Sequence, residues 1–233
     1  MKYLITNSEF DQQITQIKKQ IKLSMDGIIS DSMKAHGIVY KKNYGVSIPR
    51  IREIAKSYSK SHDLAQRLWL LDVRETKILA TLLQPVETFT RKHAATWLDK
   101  CSNIELIEQA CMNLYQYLPF AIDFSMDCIQ SVNIQHKLFG YSLLIRISKQ
   151  LSSDEINTIL QNIHQFNLSG TDHVLYNAMA NCLTRLARNN KKTALTIYSN
   201  IQPFEHDDVS GKKHIFQMVK QELIFLGYLD EKF

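Results

Sequence analysis

Apolar residues recur three and four positions apart along almost the whole chain, the spacing that lines one face of a helix. Phe10, Ile14, Ile17, Ile21 and Met25 form the first stripe, with Ser8 placed to cap it. Past the break at Gly45, Ser47-Ile48-Pro49 reads as an N-cap with proline in the first turn. Ile51, Ile54, Ala55 and Tyr58 supply the buried face that follows. Leu64, Leu68 and Leu71 continue, then Ile78, Leu79, Leu82 and Leu83 up to Pro85. Ala94, Trp97 and Leu98 belong to the next helix; Ile104, Ile107, Ala110, Cys111 and Leu114 belong to one capped by Ser102 or Asn103. Pro119 opens a stripe through Ile122, Met126 and Ile129, and Leu138, Tyr141, Leu144, Ile145 and Leu151 mark a long helix. Ser153-Asp154-Glu155 starts another, with Ile156, Ile159, Leu160 and Ile163 inward. Thr171 or Asp172 caps a segment through Leu175, Met179, Cys182, Leu183 and Leu186. Thr193–Ile201 is shorter, and Ser210 opens a last helix that ends near Gly227.

This pattern predicts about eleven helices joined by short polar connections. No stretch alternates apolar and polar residues long enough to make a strand. Helix pairs recur about every 35–40 residues, near the period of HEAT-type repeats. The expected fold is therefore all-α: a superhelical solenoid of stacked antiparallel helix pairs, HEAT-like or ARM-type, forming one domain over residues 1–233. Such solenoids curve and present an extended concave face.

Composition narrows the picture. Seven Gly and four Pro in 233 residues are too few for the tight turns of an all-β protein. No run approaches the roughly 20 apolar residues of a membrane span, and the start, Met1 to Asn7, turns polar too early for a signal-peptide core. Cys101, Cys111, Cys128 and Cys182 show no C-x-x-C spacing and sit in apolar helical patterns. They read as buried reduced thiols of a cytoplasmic protein rather than metal ligands or a disulfide framework. No metal, cofactor or membrane partner is expected.

The net charge of +5 is uneven: residues 1–60 carry +6, residues 61–134 carry −3, and residues 135–233 carry +2. That balance permits nucleic-acid binding without requiring it.

Three segments carry a family resemblance. Tyr44-Gly45-Val46-Ser47-Ile48-Pro49-Arg50-Ile51-Arg52 comes first, then Leu68-Trp69 with Arg74-Glu75-Thr76-Lys77-Ile78-Leu79-Ala80. The third is Trp97-Leu98 with Asn103-Ile104-Glu105-Leu106-Ile107-Glu108-Gln109-Ala110. In order and spacing these resemble the bacterial DNA alkylation repair family, the HEAT-like-repeat alkylpurine DNA glycosylases of the AlkC/AlkD type. The likeness spans about residues 25–200 and is strongest through residue 110. It implies a C-shaped helical solenoid with a basic concave face for duplex DNA, and release of cationic alkylated bases without base flipping. Two tryptophans and an aspartate gather around the lesion's deoxyribose in the family, where a carboxylate and aromatic faces steady an electron-poor sugar.

The chain departs from that set at each matching place. Ile104 stands where the first tryptophan is expected, Glu108 in place of the aspartate, and Asn181 near the second tryptophan. A reacting group misplaced by about 1 Å costs about a hundredfold in rate. The resemblance thus implies a DNA-binding member without the usual base-excision activity, in which Glu108 is the one remaining catalytic candidate.

Other residues weigh differently. Glu105 and Glu108 share a helix face and could pair as acids, but no third group specifies a hydrolytic site. Trp69 and Trp97 lie in apolar register and read as core, and Glu75 beside Arg74 and Lys77 reads as an ion-pair or capping residue. Glu205-His206-Asp207-Asp208 reads as an acidic loop, and His36, His93, His136 and His173 are isolated. The basic residues make the better case. Lys41, Lys42, Arg50 and Arg52 surround the first motif; Lys137, Arg146, Arg185, Arg188, Lys191 and Lys192 fall on later helices and could continue a phosphate track. Lys137 matches, within a residue, a family position where a basic side chain meets the DNA backbone. DNA is the expected partner of what reads as a monomer. One alternative is a HEAT-repeat protein-interaction scaffold, favoured by the −3 central segment. Another is a glycosylase pairing Glu108 with Tyr115 or Tyr141.

Overall fold

A computed structural model describes residues 8–166 and 173–230, and among them every regular element is a helix. The chain divides into two compact units, Met1–Pro119 and Phe120–Phe233, where the sequence reads as one continuous domain. The cap at Thr171 or Asp172 lies outside the described residues.

In the first unit the helices are α1 (Ser8–Leu23), α2 (Gly27–Ala35), α3 (Ile48–Lys56), α4 (His62–Leu70), α5 (Arg74–Leu83), α6 (Arg91–Leu98) and α7 (Ile104–Asn113). Capping explains most of their starts. Ser47, Ser61 and Asn103 each accept the backbone N–H three residues on, and Pro49 sits in the first turn of α3. The first stripe is shorter than its pattern. α1 stops at Leu23, Met25 is exposed, and α2 follows as a separate helix with no buried residue. Helix α5 packs against α3 on one side, α7 on another and α4 behind it. That central position buries nine of its ten residues, charged ones included.

The second unit holds α8 (Ala121–Gln130), α9 (Ile134–Ile147), α10 (Ser153–Gln165), α11 (His173–Ala187), α12 (Lys191–Ile201) and α13 (Ser210–Phe225). Two layers form. α9, α11 and α13 pack in succession, and α10 bridges α8 and α12. Ser152 and Glu155 close a capping box on α10, Asn190 caps α12, and Gly227 at φ +68° ends the chain's last helix. Along α8 the inward residues are Phe124, Cys128 and Ile129, with Ile122 and Met126 only half-buried. The aromatic at 124 takes the core-facing position that the aliphatic stripe had suggested for its neighbours.

Candidate nucleic-acid interface

The strongest sequence motif, Tyr44 to Arg52, is held by charges buried beneath it. Glu75, at 0% exposure, accepts the backbone N–H of Tyr44 at 3.1 and 3.2 Å and that of Val46 at 3.2 Å. Arg74 donates to Glu75 at 3.1 Å and to the Val46 carbonyl at 2.7 Å. Its other nitrogens grip Glu105 at 2.9 and 2.6 Å, and the Tyr40 hydroxyl donates to the same carboxylate at 2.7 Å. These carboxylates raise the Arg74 pKa against the opposing pull of burial. Burial, and then the Glu105 charge, pushes Tyr40 far above the usual phenol range. The loop runs so close to α2 that a Cβ on Gly45, at φ +70°, would collide with the Asp26 carbonyl oxygen. Glu105 is therefore a structural group, which removes the paired-acid arrangement with Glu108.

Trp69 and Trp97 stack at 4.1 Å with planes 1° apart, both nearly buried, and the edge of Phe89 meets Trp97. They belong to the core.

Exposed cations gather along α3 and the loop that follows it, beside the end of α5. Arg52 of α3 reaches the Met112 sulfur of α7, Nη2 to Sδ at 3.6 Å. Lys56 is one turn beyond Arg52, and both line a depression of ≈340 Å³ with Tyr58, Lys60 and Leu82. No carboxylate borders it among the described residues. Burial lifts the Tyr58 hydroxyl's pKa. Glu108 is exposed on α7 one turn before Met112, so it shares this face with Arg52, and its carboxylate makes no hydrogen bond or ion pair among the described residues. Ile104, one turn earlier, is half-buried.

The other basic candidates in the first unit differ in freedom. Lys41 is 4.0 Å from Asp72 and largely exposed, and Lys42 lies 5.0 Å from the Tyr44 ring centroid. Arg50 bonds Glu53 at 2.9 Å and Ser24 at 3.1 Å.

The second unit requires corrections. Lys137, expected to meet the DNA backbone, is 8% exposed; its Nζ donates to the Ile129 carbonyl at 2.6 Å and lies 4.9 Å from the Phe166 ring centroid. It therefore caps the C-terminal end of α8, where free carbonyls favour a cation. Burial lowers its pKa. Arg188 is exposed but bidentate to Glu222 at 2.6 and 2.9 Å, which neutralises it and raises its pKa. Arg146 and Arg185 are exposed and carry no carboxylate among the described residues. Arg185 shares the outer stripe of α11 with Asn177 and Asn181. Tyr115 and Tyr141, offered as aromatic walls for Glu108, are both sealed in the core. Tyr115 donates to Ala94 O and Tyr141 to Asn162 Oδ1, each at 2.8 Å. Asp207 accepts Val209 N–H at 2.8 Å and Lys212 at 3.2 Å, so the acidic loop braces the start of α13.

Sequence reasoning missed Lys56 and Lys60. The four-residue spacing from Arg52 to Lys56 would have placed both on one side of α3, had the outward side been known.

The architecture is that of a HEAT-like-repeat helical protein, with exposed cations along α3 and the loop after it. The chain belongs to the DNA alkylation repair enzyme family, whose model matches residues 17–196. Its structure is similar, at TM-score 0.75 and 14% identity, to a member of a family described as related to the HEAT-like repeat DNA glycosylases with affinity for branched DNA structures. The match covers 92% of this chain and 95% of that one. Comparison with curated proteins gives no match.

Proposed function

We propose that this chain binds duplex or structured DNA through backbone charge and shape, without excising bases. The observation that carries this is the surface at the ends of α3 and α5, where Arg52, Lys56 and Lys60 border a depression with no carboxylate among its described lining residues. Flexible cations around an apolar floor suit phosphate contacts, which need charge and reach but no base-edge geometry. Arg146 and Arg185 would supply the same chemistry on the second unit. The affinity for branched DNA described for the structural relative makes a branched junction the first ligand to compare with plain duplex.

What supports a lack of excision is that none of the candidate aromatic residues is free to serve beside Glu108. Both tryptophans of the chain are stacked on each other in the core, and Tyr115 and Tyr141 are sealed. Ile104 and Asn181 offer no aromatic face at the positions that match the family's tryptophans. A lone exposed carboxylate among cations tunes the electrostatics of the face rather than cleaving a glycosidic bond. The four cysteines, all buried, suit a reducing compartment, and we place the protein in the cytoplasm.

Titration of labelled duplex with the wild type and with Arg52→Glu/Lys56→Glu tests this reading. The variant should bind every sequence more weakly by about tenfold or more, and Glu108→Gln should bind every sequence more tightly. Unchanged affinity in the charge-reversed variant would reject the placement of the DNA face.

A further inference from the structure

A second basic hollow lies at the opposite end of α5. It encloses ≈350 Å³, within the range of small-ligand pockets, and Lys18, Lys22 and Lys42 converge on it. The Tyr44 ring forms one wall, and Ile21 and Val73 form part of an apolar floor.

Three features distinguish this hollow from an ordinary basic surface. No carboxylate lines it among the described residues. Asp72 lies in the turn between two residues that do line it, yet it is committed elsewhere, to Lys77 at 2.7 Å and Lys41 at 4.0 Å. Lys18 and Lys22 make no ion pair among the described residues. The walls are also fixed beneath the surface. Arg74 N–H donates to the Lys42 carbonyl at 2.9 Å, Glu75 holds the Tyr44 N–H, and Asp26 N–H donates to the Tyr44 carbonyl at 2.8 Å. The buried Arg74–Glu75 pair thus sets the positions from which Lys42 and Tyr44 project. Finally, the hollow meets the first turn of α5 at Thr76, where the helix end already carries partial positive charge. Lys22 sits in the last turn of α1, and the Lys42 side chain projects beside the start of α5 with its Nζ 5.0 Å from the Tyr44 ring centroid.

We infer that this hollow seats a terminal phosphomonoester of a nucleotide, with the nucleoside against Tyr44. An internal phosphodiester carries one negative charge, whereas a phosphomonoester carries about −1.5 to −2 near neutral pH. Three ammonium groups in one hollow match the second better. The aromatic wall and apolar floor suit a base or sugar, as inorganic phosphate would leave them empty. The inference rests on the DNA-binding reading for its source, a phosphorylated strand end; a free mononucleotide carries the same chemistry.

The test uses the intact chain, wild type and Lys18→Ala/Lys22→Ala, two exposed side chains whose removal leaves the core untouched. Each protein is titrated with one duplex carrying phosphorylated ends, the same duplex with hydroxyl ends, and closed circular duplex. The wild type should bind phosphorylated ends about tenfold more tightly than hydroxyl ends. The variant should lose that preference and keep its affinity for the circle. Equal binding of the two linear duplexes by the wild type, or a preference that survives in the variant, overturns the inference. If no DNA binds at all, the DNA reading fails instead, and calorimetric titration with thymidine 5′-monophosphate decides. Saturable binding abolished in the variant keeps the hollow as a mononucleotide site, and no binding overturns it.

Discussion

Arg74 and Glu105 meet through two hydrogen bonds, Nε to Oε2 at 2.9 Å and Nη2 to Oε1 at 2.6 Å, while Arg74 also bonds the fully buried Glu75. One guanidinium thereby joins α5, α7 and the loop before α3. Charge inside a helical layer is costly unless every lone pair and proton is satisfied. Here the backbone N–H groups of Tyr44 and Val46 complete the set. Removing Glu75 strands those donors and Arg74 together. Glu75→Ala should lower unfolding free energy by about 3–5 kcal/mol in urea titration, and Glu75→Gln, which keeps an acceptor, by less.

The stacked tryptophans are unequal. Trp97 Nε1 donates to Gln66 at 3.2 Å, whereas the buried Trp69 Nε1 has no acceptor among the described residues. Trp97→Phe loses a hydrogen bond and leaves the Gln66 oxygen short of a donor. Trp69→Phe removes an unsatisfied donor. Denaturant midpoints should show Trp97→Phe as the more destabilising change, by about 1–2 kcal/mol.

Asp72 occupies the left-handed region at φ 55°, a conformation that Asp and Asn tolerate better than most residues. Its hydrogen bond from Lys77 holds its carboxyl below the usual carboxylate range, against some desolvation. A depressed folded-state pKa gives stability that is present above the unfolded carboxylate pKa. That stability is lost as pH falls through the folded value. Asp72→Asn keeps the backbone conformation and should flatten the acid side of the stability profile, with its largest difference from wild type above about pH 4.

Lys137 should behave as a structural residue. Lys137→Ala removes the cation over the end of α8 and should cost about 1.5–3 kcal/mol of stability. Its effect on duplex affinity, measured below the unfolding midpoint, should be small beside that of the Arg52 and Lys56 reversal.

The all-helical fold is legible because stripes such as Ile156, Ile159, Leu160 and Ile163 repeat at helical spacing and caps such as Ser47 and Asn103 mark the starts. Helix α2 is not, since it buries nothing and so has no stripe. The basic face is legible in residue type but not in direction. Lys137 and Arg52 look alike in sequence, and only the tertiary neighbours Ile129, Phe166 and Met112 distinguish the one that is tied down from the one that is open. The ion network is half legible: Arg74-Glu75 suggests a pair, but Glu105 and Tyr40 come from distant segments.

Binding of fluorescent duplex and of a four-way junction across a salt series is the decisive measurement of DNA recognition by this chain. Both should bind saturably, with log affinity falling linearly as log salt rises. In Arg52→Ala the slope should be shallower by about 1, the share of a single phosphate that the guanidinium would neutralise. No binding to either DNA at low salt would contradict the DNA-binding reading.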